Sequence, residues 1–168
     1  MNKRISAAVM ATIFALTSAN FSYARILDED ELGLVSQTCS SIVLQLKNIQ
    51  KTDAKNRAKL GSYYEMINSN LMLNLNLRLV KNNMANANLS ELQTTFSSER
   101  DYFKTVYTSY QKALDSLIAI DCREKPQEFY DQLEKVRTKR EKVNSSAGRL
   151  LGIIEEHREE VINLRKGL

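Results

Sequence analysis

The 168-residue chain is poor both in residues that break helices and in residues that carry most enzyme chemistry. It contains five glycines, one proline, two cysteines and one histidine. Residues 25–168 also lack the alternating Val/Ile-rich runs that are typical of β-strands. The sequence has no glycine loop for phosphate, no nucleophile–base motif and no dinucleotide-binding fingerprint. These absences argue against a sheet protein and against an enzyme, and we predict no cofactor and no metal.

The charge balance argues against nucleic acid as a partner. The chain has 24 basic and 20 acidic residues, and Lys3 and Arg4 lie in a predicted leader. Without those two, 22 basic residues face 20 acidic ones, spread along the chain. So small an excess does not provide the phosphate neutralisation on which nucleic-acid binding depends. The densest basic stretch, 135–142, has Glu134 and Glu141 as neighbours and is interpreted as a solvated helix face.

The N-terminus predicts export. A short basic start precedes an apolar run over 5–16, and residues 22–24 fit the small-x-small pattern that signal peptidase cuts, with a second site after Ala19. The apolar run is shorter than the roughly 20 residues that span a bilayer. We therefore predict a signal peptide over 1–24. The remainder, 25–168, is predicted to be a single helical domain without a transmembrane segment, located in the periplasm or cell envelope or released from the cell.

Apolar spacing in the last two thirds of the chain predicts two long helices, over 90–121 and 126–165. Apolar residues recur there at alternating steps of three and four, which gives the seam coiled-coil character. Ser90 with Gln93 fits a capping box for the first of these helices, and Pro126 suits the first turn of the second. The short link between them makes the two helices antiparallel. The seam of the last helix consists of Phe129, Leu133, Val136, Arg140, Val143, Ala147, Leu150, Ile154, His157, Val161 and Leu164.

The pattern in the first third of the chain predicts either one helix over 34–81 or two helices separated by a break near Thr52 and Asp53. In the second case Asp53 would cap the second helix. The asparagine-rich stretch 81–90 predicts a turn, because asparagine tolerates the left-handed backbone that tight turns require. The predicted fold is therefore all-α, an elongated antiparallel three-helix bundle built from helical hairpins. Its last helix is expected to extend past the others from about Leu151.

A leucine-rich segment, LMLNLNLRL over 71–79, alternates with period two but has helical flanks. As a helix it presents two sets of side chains on nearly opposite sides: Leu71, Leu75 and Leu79 on one, and Leu73, Leu77 and Val80 on the other. A helix that is apolar on two faces needs neighbours on both. Unless the other two helices cover it, the set Leu73, Leu77 and Val80 is the predicted interaction face, for a second copy of the chain or for another protein.

Cys39 and Cys122 are candidates for a disulfide, because an exported chain folds under oxidising conditions. If the first two helices fold about a turn near 85–87, Cys122 lies level with about Gln50. That position is roughly 16 Å along the helix from Cys39, whereas a disulfide needs Cα atoms within about 7 Å. An intrachain bond then requires a bend in the polar stretch around Thr52 and Asp53, and an intermolecular bond or free thiols are the alternatives.

The remaining residues with chemical potential are interpreted as packing residues. His157 lies in the seam of the last helix, where the neighbouring glutamates offer at most one carboxylate for a metal. The tyrosines at 63, 64, 102, 107 and 110 are likewise interpreted as residues at the edge of the seam rather than as a stacking surface.

Three stretches carry a resemblance to a known family: LQLKNIQKTDAKNRAKLGSYYE over 44–65, RLVKNN over 78–83 and LIAIDCREKPQEFYDQLEKVRTKRE over 117–141. They resemble small exported all-helical proteins of candidate-phylum bacteria that live attached to other bacteria. The resemblance implies a bacterial envelope setting and nothing catalytic. In layout the chain is also similar to periplasmic holdase chaperones of the Skp type, which are exported, basic and made of long helical hairpins. Those chaperones carry a β-stranded trimerisation body, for which this sequence shows no counterpart.

Together these observations predict a function. The chain is expected to be an exported, non-catalytic helical protein that acts in protein–protein or cell-envelope interaction. The alternative is a holdase-type chaperone or client-binding module, which would clasp unfolded or apolar clients between projecting helices.

Overall fold

The computed structural model describes residues 25–167, and this part of the chain contains no strand. Its helical segments are α1 (Glu29–Met66), a π-helical segment (Ile67–Leu73), α2 (Asn74–Lys81), α3 (Ala87–Ile118) and α4 (Pro126–Lys166). The first three are continuous, so two short turns join three long rods into the predicted all-α bundle. None of the described helices combines the length and apolarity that crossing a membrane needs. The predicted signal peptide lies outside the described residues.

The start of α1 is set by a capping box. The N–H of Glu31 donates to Asp28 Oδ1 at 2.8 Å, and the N–H of Asp28 donates to Glu31 Oε2 at 3.2 Å. Two backbone donors at the helix start are thereby satisfied, so the helix begins at Glu29 rather than at the predicted residue 34. α4 begins as predicted, with Pro126 in its first turn.

The start of α3 differs from the prediction. Its cap is Asn86, whose Oδ1 accepts from the N–H of Leu89 at 2.9 Å, so the helix begins at Ala87. The predicted capping box at Ser90 and Gln93 is wrong because Gln93 reaches across to the first rod, where its Nε2 donates to Asn68 Oδ1 at 3.2 Å. The helix ends at Ile118, three residues before the predicted end.

The first rod runs through Thr52 and Asp53 without a break, so the single-rod alternative is the one that the structure adopts. Its irregularity lies further along, in the π-helical segment. Buried side chains recur there at steps of four: Tyr64, Asn68, Met72 and Asn76. In an α-helix each step of four drifts by about 40° around the axis. A π-helical turn holds more residues, and the wider turn keeps this series directed into the bundle.

α3 is the central rod, antiparallel to both neighbours. Gln50 of α1 donates a hydrogen bond to Asp115 near the end of α3. Further along α1, Glu65 accepts one from Arg100, which lies nearer the start of α3. On the other side, Lys139 of α4 donates to Ser109, and Asn86 donates to Glu160 at 2.9 Å. α4 therefore follows α3 back to its first residues. Only the residues beyond Glu160 pass the start of α3, whereas the sequence analysis expected the last helix to extend alone from about Leu151.

Aromatic rings fill the space between α1 and α3. Tyr64 lies 6.1 Å from Phe96 and 5.3 Å from Phe103, measured between ring centroids. The series continues along α3 through Tyr107 to Tyr110 in edge-to-face contacts, a preferred geometry for aromatic pairs. Tyr64, Tyr107 and Tyr110 are buried, as the packing interpretation predicts, whereas Tyr63 and Tyr102 of the same set are exposed.

A disulfide joins Cys39 of α1 to Cys122 in the turn between α3 and α4, with 5.6 Å between the Cα atoms. The predicted need for a break in α1 is wrong: α1 is unbroken, the turn into α3 comes earlier than 85–87, and Cys122 lies past the end of α3 at Ile118. α2 ends at Lys81, and Asn83 has the positive φ of 59° that reverses the chain. This earlier turn brings Arg123 level with Ser40, to which it donates a hydrogen bond. Cys122 is thereby level with Cys39.

We expect loss of the disulfide to lower the free energy of unfolding by roughly 4 kcal/mol, because the bond closes a loop between residues 83 positions apart. Urea unfolding of the full chain with and without dithiothreitol measures this difference. The control is the double variant Cys39→Ser/Cys122→Ser, which should match the reduced protein and not respond to reductant. An unchanged midpoint on reduction, or a dimer band on a non-reducing gel, contradicts the intrachain bond.

Candidate functional site

The predicted interaction face lies on the surface of the first rod. Leu73, Leu77 and Val80 are 40%, 58% and 59% exposed, and their spacing of four and three places them in one row, here called the α2 stripe. The neighbouring Met72 and Leu79 are buried in the bundle. The rod is thus apolar both toward the core and toward solvent.

The other predicted set, Leu71, Leu75 and Leu79, does not lie on one side of the rod. Leu79 is buried, whereas Leu71 is 56% exposed, although the sequence analysis placed both on one side of a regular helix. The π-helical segment ends at Leu73, between these two residues. Its wider turns rotate Leu71 away from the direction that Leu79 takes.

Most of the α2 stripe lies in an uncharged segment. Residues 66–77 contain no charged side chain, in a chain of which 26% is charged. Charges flank this segment on both sides, Glu65 before it and Arg78 and Lys81 after it. Exposed amides, Asn70 and Asn74, accompany the leucines. The surface is therefore apolar and amide-rich in the middle, with Glu65, ion-paired to Arg100, at one end and the basic Arg78 and Lys81 at the other.

A second feature lies at the middle of the bundle, around a buried carboxylate. Asp53 of α1 is 8% exposed. The Tyr110 hydroxyl donates to its Oδ2 at 2.6 Å, and the Tyr107 hydroxyl donates to its backbone oxygen at 2.8 Å. Arg140 of α4 brings Nη2 to 3.8 Å from the same Oδ2. Asp53 is therefore a core residue that is hydrogen-bonded to α3 and lies opposite Arg140 of α4. It does not cap a second helix, as the alternative with a break near Thr52 and Asp53 predicted.

Burial and Asp53 control the protonation of the two tyrosines. Burial, and after it the hydrogen bond and negative charge of Asp53, raise the pKa of Tyr110 far above its usual range. Burial and the same negative charge raise the pKa of Tyr107. Both hydroxyls consequently remain protonated at neutral pH and act as hydrogen-bond donors.

Next to Asp53 a cleft of about 370 Å³ opens between α1 and α4, with α3 as its floor. We call it the α1–α4 cleft. Its lining combines buried aromatic side chains, apolar side chains and the buried Asp53 with exposed polar side chains at the mouth: Asp53, Asn56, Lys59, Leu60, Phe103, Tyr107, Tyr110, Arg140, Val143, Asn144 and Ala147.

The sequence analysis missed this cleft. A signal was present, because Asp53 lies seven residues from both Leu46 and Leu60, at the spacing that places residues on one face of a helix. That heptad position indicates a carboxylate directed into the bundle. Its partners Tyr110 and Arg140 are distant in sequence, and only the packing of three rods brings them together.

A wider cleft of about 510 Å³ lies between the start of α3 and the end of α4. Four glutamates contribute to it: Glu91, Glu156, Glu159 and Glu160. No group of three or more His, Cys, Asp or Glu within residues 25–167 is placed to hold a metal ion. His157 is buried next to this cleft without lining it, and burial lowers the pKa of its imidazole.

The Tyr110 hydrogen bond gives a direct test of the Asp53 cluster. We expect Tyr110→Phe to lower the free energy of unfolding by about 1–3 kcal/mol, because it leaves a buried carboxylate without its donor. Tyr102→Phe is the matched control, since Tyr102 is exposed and should tolerate loss of its hydroxyl. Urea denaturation measures both, and equal midpoints for the two variants contradict the role of Tyr110.

No family model, no curated protein and no solved structure matches this chain. The candidate sites are therefore defined by their own geometry: the α2 stripe, which is an uncovered apolar surface, and the α1–α4 cleft, which is a polar-rimmed cavity.

Proposed function

We propose that the chain is an exported, non-catalytic protein that acts by binding another protein chain through the α2 stripe. The observation that carries this proposal is the exposure of Leu73, Leu77 and Val80 in one row that begins in a segment without charge and ends between Arg78 and Lys81. Contiguous apolar surface on a folded protein is typical of an interaction site. The resemblance to small envelope proteins of attached bacteria agrees with a role at a cell surface.

A second copy of the chain is the partner that the charges favour. An antiparallel pairing of two such segments keeps Arg78 and Lys81 of one copy away from those of the other. It places them near Glu65, whose charge Arg100 of its own chain already offsets in part. A parallel pairing would place like charges side by side, which is unfavourable. The antiparallel arrangement is also two-fold symmetric, and two-fold dimers are the commonest oligomers.

The area limits the strength of this association. Fully burying a leucine or valine side chain contributes about 1.5–3 kcal/mol. Three half-exposed side chains from each copy therefore offer on the order of 6 kcal/mol in total, against an association cost of about 4–15 kcal/mol. Hydrogen bonds from Asn70 and Asn74 add to the gain. We expect a weak, concentration-dependent complex.

A non-catalytic role is supported by the state of the most reactive side chains. Both cysteines are joined to each other. The single histidine is buried, its pKa is lowered, and its Nε2 has no hydrogen-bond partner within the described part of the chain. Neither arrangement provides the nucleophile–base pair that covalent catalysis uses. The holdase alternative has less support, because clefts of about 370 and 510 Å³ have the size of small-ligand sites.

Leu77→Asp tests the α2 stripe. We expect the wild-type chain to show a mass that rises with concentration in analytical ultracentrifugation. Leu77→Asp should stay monomeric with an unchanged circular-dichroism spectrum, because the new charge is buried on association but solvated in the monomer. Leu151→Asp is the control, since Leu151 is equally exposed but lies on α4, and it should associate like the wild type.

Two outcomes contradict the proposal. If Leu77→Asp unfolds, Leu77 belongs to the core and not to a docking surface. If it retains the concentration-dependent mass of the wild type, the chains associate through another surface.

Export is tested by the intact mass of the protein recovered from the cells that make it. We expect a chain that lacks residues 1–24, or 1–19 if the second site is cut, and that gains two mass units on reduction of its disulfide. The proposal is supported by the apolar run and cleavage pattern of the leader and by the disulfide, since such bonds persist in oxidising compartments. A full-length chain with both thiols reduced contradicts it.

A further inference from the structure

The α1–α4 cleft lies where the bundle is most loosely closed. α1 and α4 run parallel, each packed on α3, and they contact one another much less than either contacts α3. Four apolar side chains line the cleft, Leu60 of α1, Phe103 of α3, and Val143 and Ala147 of α4, beside the buried Asp53, Tyr107 and Tyr110. Its volume of about 370 Å³ is at the small end of the range for ligand sites, roughly 300–1,000 Å³.

The mouth of the cleft is lined by donor side chains that make no hydrogen bond within residues 25–167, although Arg140 is ion-paired with Asp53 at 3.8 Å. Asn56 and Lys59 approach it from α1, and Arg140 and Asn144 from α4. Within residues 25–167 none of these four side chains makes a hydrogen bond. Lys59 has no ion pair there either, and the nearest acid to Arg140 is Asp53 at 3.8 Å, beyond hydrogen-bonding distance.

The charge that the cleft offers to a ligand is positive. Its one carboxylate, Asp53, is buried and already accepts the Tyr110 hydroxyl. The guanidinium of Arg140 is half exposed, and Lys59 is exposed. A guanidinium presents a planar fork of N–H groups that matches a carboxylate in bidentate geometry. Two cations and two amides above an apolar floor therefore complement an anion with an apolar body.

We propose that the α1–α4 cleft is a binding site for a small amphipathic carboxylate. Arg140 and Lys59 bind the carboxylate head, with Asn56 and Asn144 as further donors. The apolar body lies against Leu60, Val143 and Ala147. This site is separate from the α2 stripe and goes beyond the proposed function, so either one stands without the other.

The experiment uses the full chain and octanoate as the probe, followed by ¹H–¹⁵N NMR. We expect saturable shifts confined to amides around the cleft, such as those of Leu60 and Ala147. Acetate, which supplies the head alone, should bind at least tenfold more weakly because each buried CH₂ contributes about 0.8 kcal/mol. Inorganic phosphate should also bind at least tenfold more weakly, and octylammonium, with the opposite charge, should leave the cleft amides unshifted.

Variants separate the proposed contacts from a general effect of charge. Arg140→Gln should weaken octanoate binding by about tenfold or more, since a charge-assisted hydrogen bond is worth about 1.5–3 kcal/mol. Lys59→Gln should weaken it severalfold. The control is Lys142→Gln, which removes an exposed positive charge from the same helix outside the cleft and should bind octanoate like the wild type. A thermal melt checks that each variant is folded. If Arg140→Gln is unfolded, the affinity of Lys59→Gln for octanoate decides the test instead.

Three results overturn the proposal. The first is the absence of cleft shifts at any octanoate concentration. The second is equal affinity in Arg140→Gln and Lys142→Gln. The third is octanoate binding that disappears in Leu77→Asp, which would place the ligand on the α2 stripe. If Leu77→Asp is monomeric and still binds octanoate at the cleft, both proposals are supported; if it binds octanoate but self-associates like the wild type, the cleft stands and the stripe does not.

Discussion

The fold depends on the burial of one long helix between two others. α3 carries most of the large buried side chains of the bundle, among them Phe96, Phe103, Tyr110 and Leu117. It contacts α4 along its length and α1 on its other side, whereas α1 and α4 contact one another little. Removing this apolar surface from water is the main gain in folding, and both outer rods obtain that gain by packing on α3.

The two candidate sites are consequences of this arrangement. Two outer rods that share a central partner need not close fully on each other, and the α1–α4 cleft occupies the seam that they leave open. Near its end, the first rod packs through the narrow row that includes Met72 and Leu79, so Leu73, Leu77 and Val80 remain in solvent. A binding cavity and a docking surface thus arise from incomplete closure rather than from added loops or domains.

Covalent and polar contacts fix the alignment that apolar packing leaves free. A seam of similar residues can slide by a turn at small cost, because leucine and valine pack in several registers. The disulfide between Cys39 and Cys122 closes one end of the bundle. In the middle, the Tyr110 hydroxyl can donate to Asp53 in only one register of the two helices. A displaced register would leave the carboxylate buried without a donor. Both contacts also fix how α1 lies beside α4 along the cleft, which Lys59 and Arg140 both line.

The sequence by itself determined the helices, their approximate ends and the apolar character of the Leu71–Val80 segment, because these follow from local spacing, capping residues and the position of the single proline. It did not determine the capping of α3 by Asn86, the π-helical segment, or the pairing of Cys39 with Cys122 along an unbroken helix. The cysteine pairing depends on where the chain reverses at Asn83, because a shift of a few residues in that turn displaces the opposing rod by twice as many. The partnership of Asp53 with Tyr110 and Arg140 was likewise decided only by tertiary structure, since three residues on three rods meet only after all the rods are packed.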